Sequence, residues 1–211
     1  MTAAAPVPTR VGVLASGSGT NLQALIDAGA RGDLGPARLV VVGANVAGCG
    51  ALGRAQAAGL DTFVIEHRAF PSREAFDEAV VAALRARRVE LVVLAGFMRI
   101  LTPGFLAAFP DRVVNIHPSL LPAFPGVHSQ AQAFRHGVKL AGCTVHLVDT
   151  GVDSGPILAQ AAVPVLDDDD EETLRLRILA EEHKLLPSVV RAFAEGRVSV
   201  DPARRRAAIR A

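Results

Sequence analysis

Arg10–Asn21 reads RVGVLASGSGTN. Arg10–Ala15 is a short apolar run, and helical periodicity begins at Leu22. Between them lies Ser16-Gly17-Ser18-Gly19-Thr20-Asn21. Strand, glycine-rich turn and helix, in that order, form the unit from which parallel sheets are built. Backbone N–H groups at such a helix start can hold a phosphate. The spacing is not GxGxxG, and no Lys follows as it would in a Walker A loop. The loop therefore suits a phosphate monoester better than a dinucleotide. A flexible turn whose Ser, Thr and Asn merely cap the helix fits this stretch about equally well.

Further along, the same alternation continues. Ala37–Ala44 is a second strand, and Cys49–Ala58 a helix that stops at Gly59. Thr62–Ile65 is a brief third strand. Ser72 caps a helix running to about Arg88. Glu90–Leu94 is a fourth strand, leading into Ala95–Leu101, where Arg99 sits among large apolar side chains. Thr102-Pro103 opens the next helix, with Pro at its first position. This order predicts an α/β fold with a doubly wound, mostly parallel sheet. Gln130–His136 reads as helix, and Ala141–Val148 and Pro156–Val165 as an antiparallel strand pair at the sheet's edge. The acidic run Asp167–Glu172 precedes an amphipathic helix, Thr173–Ala194, where anionic side chains suit the helix start. Without interleaved Gly or His, that run predicts no metal site. The expected organisation is one domain over 10–197, with a loose leader at 1–9 and a peripheral, Arg-rich tail at 198–211.

The chemistry concentrates in Val113–Gly126, VVNIHPSLLPAFPG. Asn115 and His117 are two residues apart at the end of an apolar strand, so both side chains leave the same face. Open α/β sheets bind their ligands at this carboxyl end. Pro118, Pro122 and Pro125 keep the exit from continuing as strand or helix. A lone histidine near a strand end is more often a satisfied core residue. An amide and an imidazole on one face ahead of a proline-ruled loop favour a functional reading.

Asp149 and Asp153 lie in a third strand-end loop. An Asp beside His117 would favour the imidazolium. A cationic His next to an amide donor suits an oxyanion developing on a carbonyl carbon. No Ser or Cys nucleophile elbow accompanies them. The set points to direct acyl-type transfer between two bound substrates. His146, with apolar neighbours alternating around it, reads as a supporting histidine behind the site.

Composition narrows the partners. Lys plus Arg number 22 against 21 Asp plus Glu, so nothing favours nucleic acid or an anionic membrane. Trp and Tyr are both absent, which removes the usual stacking platform for single strands. Cys49 and Cys143 have no CxxC spacing and read as small buried residues of a reducing compartment. No signal peptide or membrane-length apolar run is recognisable, which predicts a cytoplasmic protein. A monomer and a homodimer both remain open.

ASGSGTNLQ (15–23), LAGFMRIL (94–101), NIHPSLLPAFPGVH (115–128) and GCTVHLVDTGVDSGPILAQ (142–160) together resemble the glycinamide ribonucleotide formyltransferases of the folate-dependent formyltransferase family. The likeness covers about residues 10–195. It implies a Rossmann-like formyltransferase fold with 10-formyltetrahydrofolate as co-substrate, glycinamide ribonucleotide as acceptor, and no metal. By motif, it implies Asn115, His117 and Asp153 as the catalytic trio. Ser18, Gly19, Thr20 and Asn21 would receive the phosphate, and Glu182 the ribose hydroxyls. The folate would lie among Met98, Arg99, Ile100 and Leu101, the segment Val148, Asp149, Thr150, Gly151, Val152 and Asp153, with Asn115 and Arg73. Two positions depart from the family: Gln130 stands where some relatives have a second His, and Leu179 where a polar residue is usual.

Relatives that hydrolyse formyltetrahydrofolate share the trio but usually carry an extra N-terminal domain, for which nine leading residues leave no room. Methionyl-tRNA formyltransferases resemble the core but add an RNA-binding domain and lack the SGSGTN loop. A non-catalytic nucleotide-binding module on the same fold would be expected to have lost a member of the trio. The loop at 149–153 is expected to gate the folate.

Overall fold

A computed structural model describes residues 8–201 and 206–210. The chain runs β1 (Thr9–Ala15), α1 (Thr20–Arg31), β2 (Ala37–Ala44), α2 (Gly50–Ala57) and β3 (Asp61–Val64). After a short 3-10 turn, His67–Ala69, come α3 (Arg73–Ala86), β4 (Leu91–Leu94), α4 (Pro103–Ala108) and β5 (Val113–His117). Then follow α5 (Ser129–His136), β6 (Leu140–Leu147), β7 (Ile157–Pro164) and α6 (Glu171–Ala194). A last pair, β8 (Val198–Asp201) and β9 (Arg206–Ile209), completes the described residues.

Seven strands form one sheet in the order β3-β2-β1-β4-β5-β6-β7. The first five are parallel, and β6 is antiparallel to both β5 and β7. The expected doubly wound sheet with an antiparallel pair towards one edge is thus the fold. Strand order reverses between β1 and β4, so the loops after them diverge and leave a crevice at their carboxyl ends.

Side-chain alternation divides the core into two layers. Val11, Val13 and Ala15 of β1 join Leu22 and Leu25 of α1 and Ile178 and Leu186 of α6 on one face. Leu14 joins Phe76, Val80 and Leu84 of α3 and Phe105 of α4 on the other. Gly12 also faces α3: a Cβ there would come 2.9 Å from Leu84 Cδ2, so its missing side chain lets the helix close on the sheet. On β5, Val114 and Ile116 enter the first layer, which leaves Val113, Asn115 and His117 facing the second side.

The acidic run is absorbed locally. Asp167 pairs with Lys139 at 2.8 Å, and Asp170 caps α6 by accepting from the Thr173 N–H at 2.7 Å. Residues 198–201 and 206–209, read as part of a peripheral tail, pair as an antiparallel hairpin. Their alternate residues Val198, Val200, Ala207 and Ile209 pack against the first core layer. The leader's first seven residues and 202–205 lie outside the described residues.

Candidate active site

Loops leaving β1, β4 and β5, together with the β6–β7 connection, surround a cleft of about 670 Å³. Each loop is held by a definable set of bonds. Thr20 begins α1 directly after Gly19, whose φ of 74° is left-handed. A Cβ on Gly19 would lie 2.6 Å from Ala51 Cα, so this turn is pressed against the start of α2. No side-chain cap closes α1, so the loop's Ser, Thr and Asn do not play the capping role that the sequence also allowed. Ser16 ties this loop to its neighbour. Its N–H donates to the Gly96 carbonyl at 3.0 Å, and its hydroxyl accepts from the Met98 N–H at 2.9 Å. That hydroxyl donates in turn to the buried Asn45 amide oxygen at 2.6 Å.

The β5 residues meet β6 and the following loop. Asn115 pairs directly across the sheet with His146, and His117 with Thr144. His146 is 2 % exposed. Its Nδ1 lies 2.8 Å from the Leu147 carbonyl, which can only accept, so Nδ1 carries the proton. Nε2 lies 3.1 Å from Asn115 Nδ2 and 3.6 Å from Asp153 Oδ1. This fixes the Asn115 amide and turns its donor towards Asp153 Oδ1, 3.5 Å away.

His117 is sandwiched between two acceptors. Nε2 donates to the Phe124 carbonyl at 2.9 Å, and Nδ1 faces Asp153 Oδ2 at 3.2 Å. Only a ring protonated on both nitrogens satisfies both contacts with an ionised carboxylate. Asp153 Oδ2 also accepts from the Gly126 N–H at 2.8 Å. Burial pushes the Asp153 carboxyl up, but the His146 ring, the Gly126 N–H and the His117 charge together outweigh it and hold it below its ordinary value. Asp153 itself has a left-handed φ of 50°, a conformation that Asp tolerates better than most residues.

Behind the trio, a buried network fixes the proline-ruled turn, which contains a cis Leu121–Pro122 bond. Thr144 Oγ1 donates to the Ser119 carbonyl at 2.7 Å and accepts from the Leu121 N–H at 3.1 Å. Gln160 donates to the Leu121 carbonyl at 2.9 Å. None of Ser16, Asn45, Thr144 or Gln160 stands out in the sequence. Thr144 carried the clearest signal, lying two residues before His146 and hence on its face.

At the far end of the cleft, Asn21 Nδ2 donates to Glu182 Oε2 at 2.6 Å, joining α1 to α6. Glu182 is 5 % exposed. Burial raises its pKa against the opposing effects of Asn21 and the Arg175 charge. Asn21 Oδ1 is buried without a protein partner, an acceptor facing unfilled need for a donor.

The structure brings most sequence-derived candidates to this cleft, but not all. Ser18, Thr20, Asn21 and Glu182 line one end, and Met98–Leu101, Val148, Asp149 and Gly151–Asp153 the other, with Asn115, His117 and His146 between. Met98 and Ile100 are 67 % and 52 % exposed, an apolar rim, while the Arg99 guanidinium sits 5.9 Å from the Phe76 ring centre. Gly19, Thr150 and Arg73 do not line it. Gly19 lies against α2, and Thr150 and Arg73 are exposed, Arg73 at the start of α3. Gly126, Val127 and His128 line the cleft without having been singled out as site residues. Among the described residues no group of His, Cys, Asp and Glu is arranged to hold a metal. No helix among them is long and apolar enough to cross a membrane.

A doubly wound sheet that gathers an amide, an imidazole and a carboxylate at the carboxyl ends of its strands frames this site. The chain belongs to the formyl transferase family, which matches residues 9–190. It is 53 % identical over 193 residues to a phosphoribosylglycinamide formyltransferase of Mycobacterium tuberculosis, covering 92 % of this chain and 88 % of that one. It is 49 % identical over 194 residues to the trifunctional purine biosynthetic protein adenosine-3 of Drosophila melanogaster, covering 92 % of this chain and 14 % of that one. The crystal structure of glycinamide ribonucleotide transformylase 1 from Symbiobacterium toebii superposes with a TM-score of 0.93 at 53 % identity, covering 97 % of this chain and 95 % of that one.

Proposed function

We propose that this chain transfers the formyl group of 10-formyltetrahydrofolate to the amine of glycinamide ribonucleotide, a step of purine synthesis. The observation that carries the reading is the 3.2 Å contact of His117 Nδ1 with Asp153 beside the Asn115 amide, in one cleft with Ser18, Thr20 and Asn21. Ser18, Thr20 and Asn21 would receive the phosphate at the start of α1, where the helix dipole favours an anion. Glu182 would accept from the ribose hydroxyls, and Asn21 Oδ1 offers a second acceptor there. The folate would occupy the part lined by Met98–Leu101, Val148, Asp149 and Gly151–Asp153.

In this scheme the amine attacks the formyl carbon, forming a C–N bond as the carbonyl electrons move to oxygen. The Asn115 amide N–H and the His117 charge stabilise that oxygen. Asp153 keeps His117 protonated, and its Oδ1 accepts the amine proton directly or through water. The C–N10 bond then breaks, and N10 takes up one proton to give tetrahydrofolate. The scheme draws on no metal ion. Two enclosed substrates supply the remaining acceleration by proximity.

Asn115→Ala and His117→Ala are expected each to lower kcat by about 10²–10³-fold, the usual effect of losing an oxyanion donor. Ribonucleotide binding, followed by titration calorimetry, should stay within about threefold, because both side chains act on the transition state. Loss of ribonucleotide binding in either variant would overturn this division of roles.

A further inference from the structure

The phosphate end of the cleft has a charge deficit. Among the described residues lining the cleft, Arg99 is the one Lys or Arg, and it sits with the residues after β4. On the α6 side the loop is faced by Leu179, one turn before Glu182, and by the Glu182 carboxyl itself. A phosphate dianion would meet the partial charge of one helix end and a neighbouring acid. Charge must come from elsewhere.

It stands on the opposite side of the loop. Arg54, on α2, donates from Nε to the Ser18 carbonyl at 2.9 Å and from Nη1 to the Gln23 side-chain oxygen at 3.2 Å. The approach is built into the backbone. The Ala51 N–H donates to the Gly17 carbonyl at 3.0 Å, and a Cβ on Gly50 would lie 2.9 Å from the Ser18 carbonyl oxygen. Arg54 also lines a shallower hollow of about 310 Å³, and Thr20 lines both this hollow and the main cleft.

The other basic groups of that hollow are otherwise engaged. Arg31 is paired with Asp33 at 2.7 Å. Burial lowers the pKa of His183, which favours its neutral form. Asp27, the carboxylate of the hollow, accepts from Gln23 Nε2 at 2.8 Å. Both hydrogen bonds of the Arg54 guanidinium, by contrast, go to neutral acceptors, so its charge is not spent on a carboxylate. A guanidinium on the Ser18 carbonyl also polarises that peptide, whose N–H belongs to Gly19 at the mouth of the helix.

We propose that Arg54 is the positioning residue for the acceptor's phosphate, polarising the Ser18–Gly19 peptide and supplying the positive charge that the cleft lining lacks. This rests on the ribonucleotide reading of the preceding subsection. The test compares wild type, Arg54→Ala and Arg54→Lys with two acceptors, glycinamide ribonucleotide and its dephosphorylated riboside. It adds calorimetric binding of ribose 5-phosphate, which needs no turnover.

Arg54→Ala should raise KM for the ribonucleotide and Kd for ribose 5-phosphate about tenfold, a size typical of one charge-assisted contact. Its kcat, folate KM and kcat/KM for the riboside should stay within about twofold, and Arg54→Lys should recover part of the loss. Equal losses with both acceptors would make Arg54 a scaffold for the loop and overturn the proposal, as would unchanged ribose 5-phosphate binding. A wild type that binds ribose 5-phosphate through Arg54 yet shows no ribonucleotide turnover would sink the transferase reading and leave this inference standing.

Discussion

Glu182 shows at single-residue scale how a site can cost stability. Its carboxyl is buried, with Asn21 as its hydrogen-bond donor, and burial raises its pKa. A carboxyl raised on folding is without cost below its unfolded value, about 4.3. The cost appears as pH rises through the folded value and is complete above it. Glu182→Gln keeps an oxygen for Asn21 but removes the charge. At pH 7 the variant should therefore be more stable by about 1 kcal/mol, a common size for relieving a functional compromise. Urea unfolding at pH 7 and pH 4 checks this: the gain should shrink at the lower pH. A less stable variant at pH 7 would mean that ionised Glu182 is better solvated than its burial implies. Asp153 has the opposite sign. Its folded value is depressed, so its contribution is full above about pH 3.9 and fades only in more acidic solution.

Some of these residues could be read from the chain and others could not. Asn115 and His117 were legible because strand alternation alone puts positions i and i+2 on one face. Asp153 was legible as a polar strand-end residue, but its 3.2 Å contact with His117 depends on β6 lying antiparallel beside β5. Ser16 and Asn45 were invisible for the same reason, since their partners are fixed by which strands become neighbours, and Thr144 was hinted at only by its place two residues before His146. Arg73 shows the reverse case: motif likeness assigned it to the folate, and in this conformation it stands exposed at the start of α3, outside the cleft lining.

At the scale of elements, the loops after β1 and β4 act as one unit. The Ser16 N–H and hydroxyl bond to Gly96 and Met98, so the turn proposed for the phosphate and the segment proposed for the folate share a joint. Asn45 holds that joint from β2's exit and contacts His67 Nδ1 at 3.3 Å. Ser16→Ala removes the hydroxyl and leaves the Met98 N–H and the Asn45 side chain without that partner. The expected result is a KM rise of about threefold to tenfold for both substrates, as for a lost neutral hydrogen bond. Steady-state kinetics with each substrate varied checks this, and an effect confined to one substrate would show that the loops move independently.

The whole molecule is a sheet whose topology makes its site. Apolar runs alternating with helical patterns announced parallel strands, and the change of pattern after Gly126 announced the antiparallel pair. Strand order was not legible, because it depends on how α1 and α3 choose opposite faces of the sheet. That choice puts β1 beside β4 and opens the crevice. The pairing of 198–201 with 206–209 was hidden because each segment is only four residues long.

The most direct measurement is the loss of 10-formyltetrahydrofolate on incubation with the purified protein, with and without glycinamide ribonucleotide. The account predicts loss that depends on the ribonucleotide and yields its formylated product in equal amount. Equal loss without the ribonucleotide would make water the acceptor, and no loss in either case would contradict the account altogether.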